Sequence, residues 1–110
     1  MIPSESHLLY MLNEDGESVL CDDVSAWGQW FETADRHVAE ACFGDVRVST
    51  VFLGIDHGFG RPGPPVLWES LVFGGPLNGE MQRYTSRAEA NAGHTDLCHA
   101  VVRAQEQTVS

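Results

Sequence analysis

The sequence predicts an α+β fold in which an antiparallel β-meander of about four strands packs against a C-terminal helix, after an N-terminal hairpin and helix. Two short apolar runs, VRVSTVFLGID (46–56) and VLWESLVFG (66–74), are rich in β-branched and aromatic residues, as buried strands are. The intervening HGFGRPGPP excludes a helix because of its glycines and prolines. We expect a single domain over residues 1–110, with a polar tail from about residue 105.

The first part of the chain is predicted to form a small hairpin and then a helix. Apolar runs from His7 to Leu12 and from Ser18 to Cys21 flank Asp15-Gly16, a pair that is typical of tight hairpin turns. Asp22 or Asp23 is the expected N-cap of the helix. The residues on its predicted buried face, at i, i+3, i+4 and i+7 spacing, are Val24, Trp27, Gly28 and Phe31, with Trp30 beside them.

The meander is predicted to occupy residues 36–85. Residues 36–43 are compatible with an extension of the preceding helix, but a strand is favoured because the apolar run at 46–56 needs a neighbour on each edge. Gly44-Asp45 turns the chain into that central strand, and residues 66–74 pair along its other edge. The segment 75–79, which contains Gly and Pro, leads into a last strand from Glu80 to Thr85.

A capping motif predicts where the final helix begins. Ser86 and Glu89 form an S-x-x-E box, in which the two side chains accept hydrogen bonds from backbone N–H groups at the start of the helix. The residues of its expected buried stripe are Ala90, His94, Leu97, Val101 and Ala104. This stripe is expected to cover one face of the meander.

The charge of the chain excludes several classes of partner. Six arginines and no lysine against sixteen acidic residues give a net charge of −10, which repels nucleic acid and anionic membrane surfaces.

Cys21, Cys42 and Cys98 lack the short spacing of zinc sites, so we expect reduced thiols and no metal or cofactor. The N-terminus lacks a basic segment followed by a long apolar one, which predicts a cytoplasmic protein.

Three blocks of the sequence, VSTVFLGIDHGFG, PPVLWESLVFGG and QRYTSRAEANAGH, resemble a family of small bacteriophage and prophage proteins from actinobacteria and proteobacteria. The blocks of that family run approximately as VSTVFLGLDH, LFETMVFGG and RYxTxxEAxxGH, and the resemblance covers roughly residues 27–94. Trp68, Ser70 and Leu71 stand where the family pattern has Phe, Thr and Met. The resemblance implies a phage accessory protein that acts in the host cytoplasm, and it implies no particular activity.

Glu69, Arg83 and His94 are the central candidates for a ligand-binding site. Symmetric pairing of the strands places Thr85 opposite Glu69, with Arg83 on a neighbouring diagonal. If the final helix covers this face, Glu69, Arg83 and His94 converge on a polar hollow that suits a small molecule with hydrogen-bond donors and acceptors. The alternative is structural, with Glu69 in a cross-strand ion pair with Arg83 or Arg36, and His94 as a hydrogen-bonded core imidazole.

Asp56 and His57 form a second candidate at the end of the central strand. A carboxylate next to an imidazole can orient a water, bind a metal or accept ligand hydroxyls. In the structural alternative, Asp56 accepts backbone N–H groups around residues 58–60, as in an Asx turn. The candidate ligand-binding residues are therefore Asp56, His57, Glu69, Arg83, Thr85 and His94.

Three functions are compatible with these features. The favoured one is a phage-encoded accessory binding protein that sequesters a small host molecule or blocks a host factor, for example in counter-defence. The second is a small metal-assisted hydrolase that uses Asp56, His57, Glu69 and His94. The third is an acidic protein-interaction module or nucleic-acid mimic. The sequence thus favours binding over enzymatic activity. We also expect a homodimer, formed through an edge strand or through the aromatic cluster of the first helix.

Overall fold

A computed structural model describes residues 8–59 and 61–108 of the chain and confirms the α+β arrangement. Its elements in chain order are β1 (Tyr10–Leu12), β2 (Ser18–Leu20), α1 (Val24–Thr33), β3 (His37–Phe43), β4 (Val46–Phe52), β5 (Trp68–Phe73), β6 (Met81–Tyr84) and α2 (Arg87–Thr108). Strands β3, β4, β5 and β6 form one antiparallel sheet in that order, and β1 and β2 form a separate two-stranded sheet. His7, where the first predicted apolar run begins, lies outside the described residues.

The β1–β2 hairpin closes on the turn that the sequence predicts. Asn13 stabilises this turn, because its side-chain oxygen accepts hydrogen bonds from the backbone N–H groups of Asp15 (2.9 Å) and Glu17 (3.0 Å). Gly16 has a φ of 78°, which glycine adopts without steric cost. The Arg87 guanidinium donates to the Gly16 carbonyl over 3.1 Å. The hairpin turn is therefore tied to the first residue of α2.

Helix α1 begins after Asp23, whose carboxylate accepts a hydrogen bond from a backbone N–H of the first turn. Its aromatic side chains pack against the rest of the fold and against each other. Trp27 stacks on Phe31 with ring centroids 4.6 Å apart, and Trp30 meets the Phe52 ring edge-on with centroids 6.1 Å apart. The aromatic cluster that the sequence offers as a dimer surface thus contacts the core and stays partly exposed, and dimerisation through it stays a prediction.

Residues 37–43 form a strand and not an extension of α1, which confirms the favoured prediction. Ala34 has an extended backbone with a ψ of 141°, so the helix ends there and the chain is free to pair with β4. A register irregularity between His37 and Ala39 interrupts this pairing near its start. Strand β4 consequently has a hydrogen-bonded neighbour on each edge.

Side-chain alternation divides the four-stranded sheet into two faces. Even-numbered residues of β4 and β5 face α2 and form the core together with that helix. The buried side chains of this helix-covered face are Val46, Val48, Thr50, Phe52, Trp68, Ser70 and Val72, which pack with Ala90, His94, Leu97 and Val101 of α2. Odd-numbered residues of the two strands lie on the opposite face, which we name the open face.

The register of the later strand pairs differs from the symmetric prediction by two residues. Glu69 lies opposite Arg83 and not opposite Thr85. The loop after β4 is likewise asymmetric. Backbone hydrogen bonds join Leu53 to Leu67 and His57 to Val66, so residues 54–56 have no counterpart on the strand opposite. A shift of two residues keeps each strand side chain on its predicted face, since the side-chain period of a strand is two.

Helix α2 begins at the predicted capping motif. The Ser86 hydroxyl accepts from the Glu89 N–H (3.1 Å), while the Glu89 carboxylate accepts from the backbone N–H (3.2 Å) and the hydroxyl (2.8 Å) of Thr85. The reciprocal bond therefore reaches one residue further back than in the standard box. At the other end the helix includes residues 105–108, and Gln105 donates to the Phe43 carbonyl over 2.7 Å.

Within residues 8–59 and 61–108, neither helix has the combination of length and apolar character that spanning a bilayer requires.

Helix α2 approaches β6 closely at Gly93. A methyl group built at this position would overlap the ring and hydroxyl of Tyr84, whose hydroxyl is itself fixed by a hydrogen bond to Ser70. Gly28 in α1 is a natural counterpart, because a methyl group built there meets no atom within 4 Å. Both glycines are helical, so they differ mainly in what surrounds them.

We predict opposite effects of alanine at these two glycines. Gly93→Ala should lower the free energy of unfolding by about 1–3 kcal/mol, because overlap with Tyr84 outweighs the gain in helix propensity. Gly28→Ala should raise it by up to about 1 kcal/mol, because only the propensity changes. Urea denaturation of both variants measures this, and a destabilisation of equal size at both positions would contradict the close approach of α2 to β6.

Candidate functional site

The structure separates the three central candidates of the sequence prediction. Arg83 Nε donates to Glu69 Oε2 over 3.0 Å on the open face, where the Glu69 side chain is 16% exposed. His94 lies on the other side of the sheet, buried on the side of α2 that packs against the strands. The predicted convergence of Glu69, Arg83 and His94 on one recess is therefore wrong, because α2 covers the face of even-numbered residues. The cross-strand ion pair is confirmed.

Asp56 and His57 are engaged in the structure of their own loop. The buried Asp56 carboxylate accepts from the backbone N–H groups of Gly58 (2.7 Å) and Val66 (2.8 Å). The carboxylate therefore connects the two ends of the loop. Its hydrogen bond from Gly58 confirms the structural alternative of an Asx turn. His57 Nδ1 lies 2.9 Å from the Ile55 carbonyl, a bond in which the ring N–H donates. Ligand binding by these two residues stays a prediction.

A chain of hydrogen bonds links α2 to three strands inside the core. Thr50 Oγ1 lies 2.7 Å from His94 Nδ1 and 2.5 Å from Ser70 Oγ, and the Tyr84 hydroxyl donates to Ser70 over 3.0 Å. When Nδ1 of His94 is unprotonated, the bonds run in one direction from Tyr84 through Ser70 and Thr50 to the imidazole. Burial raises the pKa of Tyr84 and lowers the pKa of His94, and both shifts favour the neutral form of the side chain.

This chain has a structural role. The side chains of Thr50 and Ser70 are fully buried, so their hydroxyls are not presented to a substrate. The chain satisfies polar atoms that would otherwise be unpaired between sheet and helix. It confirms the interpretation of His94 as a hydrogen-bonded core imidazole. Among the described residues, no three His, Cys, Asp or Glu side chains are grouped so that they could hold a metal ion.

A cleft lies between the turn of the β1–β2 hairpin and the start of α2, and we name it the hairpin cleft. It has a volume of about 380 Å³. Its lining residues are Asp15, Gly16, Glu17, Ser18, Trp68, Thr85, Ser86 and Arg87. Of the six predicted site residues, Thr85 lies here. The hydrogen bond between Arg87 and Gly16 lies at the boundary with a second groove of about 400 Å³, which both residues also line.

Trp68 contributes an unusual feature to the hairpin cleft. Trp68 is buried, with only 3% of its surface exposed. Its indole Nε1–H finds no hydrogen-bond acceptor among the described residues. An unsatisfied buried donor costs about 1–3 kcal/mol, and such groups in native proteins are few. An acceptor from outside the described chain would remove that cost.

The polar groups of the hairpin cleft carry both signs of charge. Arg87 presents a guanidinium, whereas Asp15 and Glu17 present carboxylates at the hairpin turn. The hydroxyls of Thr85 and Ser86 take part in the cap of α2 and are held in place by Glu89. The cleft therefore offers hydrogen-bond donors and acceptors at fixed positions. The sequence predicts this combination for a different site, the hollow at Glu69, Arg83 and His94.

The sequence contained little to identify this cleft. Trp68 lies in an apolar run that shows no sign of a binding role, and Arg87 follows the capping serine without any distinguishing pattern. The turn at Asp15 and the start of α2 are about seventy positions apart in the chain. Only the packing of the hairpin against the end of the sheet brings them together.

No protein-family model, curated protein or solved structure matches the chain. The interpretation of the hairpin cleft therefore depends on its chemistry.

The buried imidazole predicts a specific pH dependence of stability. Because burial lowers the pKa of His94 below its ordinary value of 6.5, the unfolded chain binds this proton more readily than the folded one. The contribution of His94 to stability is thus fully present above pH 6.5 and decreases as the pH falls through that value toward the folded pKa. Urea denaturation between neutral and mildly acidic pH measures the loss.

His94→Asn is the matched control for this prediction. The asparagine amide oxygen can accept from Thr50 in place of Nδ1, but it cannot be protonated in this range. We expect a shallower loss of stability on acidification in the variant than in the wild type. Identical pH profiles for the two proteins would show that His94 is not the titrating group.

Proposed function

We propose that this protein is a phage-encoded accessory binding protein that retains a small polar molecule of the host cell in the hairpin cleft. The observation that carries the proposal is the buried Trp68 Nε1–H, which lacks an acceptor in the described chain and belongs to a residue that lines the cleft. This nitrogen has almost no accessible surface, so a bound molecule reaches it only when the hairpin wall of the cleft moves aside, and the hydrogen bond that it then gains is shielded from water. Such a bond contributes more to binding than one at the surface.

The lining indicates the class of ligand. Arg87 and the Trp68 indole require acceptor atoms, whereas Asp15 and Glu17 require donors. A net charge of −10 opposes the entry of a multiply charged anion. A neutral or zwitterionic molecule with several hydroxyl, amide or heterocyclic nitrogen groups satisfies these conditions.

The geometry supports retention of a molecule more than its chemical conversion. The hydroxyl of Thr85 donates to Glu89, and the Ser86 oxygen accepts from the Glu89 backbone, so both serve the helix cap. The residues considered for a hydrolase are not assembled, because Glu69 and His94 lie on opposite faces of the sheet. Sequestration in the host cytoplasm is consistent with the resemblance of the three sequence blocks to phage proteins.

The experiment uses the recombinant protein and a metabolite extract of an actinobacterial cell. We expect the extract to raise the melting temperature, and we expect denaturation to release an intact small molecule that mass spectrometry detects. Trp68→Phe should retain about tenfold less of that molecule, because one buried hydrogen bond is lost while most of the ring packing remains.

Trp27→Phe is the matched control for Trp68→Phe. Trp27 Nε1 donates to the Tyr10 and Gly54 carbonyls, so this variant loses a satisfied bond outside the hairpin cleft. It should be less stable than the wild type but should retain the molecule equally well when folded. Equal retention by Trp68→Phe and the wild type would exclude the cleft, and release of only chemically altered molecules would support the hydrolase.

A further inference from the structure

The open face of the four-stranded sheet has no layer packed on it in the described part of the chain, although it is substantially apolar. Phe73 is 39% exposed and Met81 is 45% exposed. The partly exposed Leu71 lies directly opposite Met81, and Phe73 and the partly exposed Val51 lie on the rungs to either side. These four side chains form an oblique apolar stripe across β4, β5 and β6, which we name the open-face stripe. A stripe of this kind on a sheet face is typical of an interaction surface.

Charged residues flank the open-face stripe on both sides and balance each other. Arg47 Nη1 donates to Glu40 on the side of β3, at 3.0 Å, and Arg83 pairs with Glu69 on the side of β6. The Arg47 guanidinium also lies over the Phe73 ring, 4.3 Å from its centroid. The two arginines and two glutamates have no net charge, whereas the whole chain has a net charge of −10. The charges on this face therefore add no net repulsion between two copies of this acidic chain.

The arrangement is also self-complementary under a two-fold rotation. If the rotation axis runs along the open-face stripe, the stripe of one copy packs on the stripe of the other. The same rotation brings the Glu40–Arg47 pair of one copy over the Glu69–Arg83 pair of the second copy, and the reverse contact forms on the other side. Each pair then meets another pair that contains both signs of charge.

We infer that the open face is the interface of a homodimer, in which two sheets pack face to face along the open-face stripe. Strands of six or seven residues and a four-strand width give a face of roughly 20 Å by 20 Å. Two such faces bury roughly 800 Å² in total, which is below the range of stable protein complexes, so the dimer is a weak and reversible one. It uses neither the strand edges nor the aromatic cluster of α1, and it leaves the hairpin cleft on the other side of the sheet free.

Sedimentation velocity tests this inference across about a hundredfold range of concentration of the full chain. The average mass is expected to rise from that of one chain toward that of two. Added sodium chloride should strengthen the association, because it screens the repulsion between two acidic chains more than it weakens the balanced pairs. A monomer at every concentration, or an association that salt weakens, would overturn the proposed interface.

Two variants locate the interface. The double variant Phe73→Thr and Met81→Thr keeps residues that favour strands but removes apolar surface, and it should weaken association by about tenfold or more. Leu20→Thr is the matched control, because Leu20 lies in strand β2 and is 45% exposed, as Met81 is. It should associate as the wild type does. Loss of association in Leu20→Thr, or unchanged association in the double variant with native circular dichroism, would show that another surface is used.

Discussion

The packing of α2 on the even-numbered residues of β4 and β5 is the constraint on which the rest of the structure depends. It buries Thr50 and Ser70 between sheet and helix, where their hydroxyls must be paired, and His94 and Tyr84 provide the partners. The same packing leaves the odd-numbered charged residues on the open face, where Glu69 pairs with Arg83. The polar residues of the sheet are thus divided into a buried hydrogen-bonded chain and an exposed set of ion pairs.

The hairpin cleft exists because a second, small sheet packs at the end of the large one. Arg87 fixes the hairpin turn through the Gly16 carbonyl, and the cap of α2 fixes the side chains on the opposite wall. Trp68 lies at the end of β5, where the hairpin, β6 and the helix start meet. The cleft therefore combines a rigid wall, built by the sheet and helix, with a hairpin wall that has fewer connections to the core. This combination suits a binding site that must admit a ligand and then shield it.

The two proposals concern opposite sides of the sheet, so they are physically independent. Trp68 belongs to the helix-covered face, whereas Phe73 of the same strand belongs to the open face. A dimer through the open face would present two hairpin clefts that face away from each other. It would double the number of sites in one particle without changing the chemistry of either, and loss of the dimer would leave binding in the cleft intact.

The sequence by itself determined the fold class, the strand at residues 37–43, the hairpin turn at Asp15-Gly16 and the start of α2. Each of these depends on local patterns: apolar alternation, turn chemistry and the capping motif of Ser86. It also offered, as one of two alternatives, that Asp56 binds its own loop. Only the tertiary structure decided which sheet face α2 covers, and hence that His94 lies apart from Glu69. Local periodicity assigns residues to a face but does not say which face another element will cover, and it cannot bring Trp68, Arg87 and the hairpin turn together, because that contact is made between segments far apart in the chain.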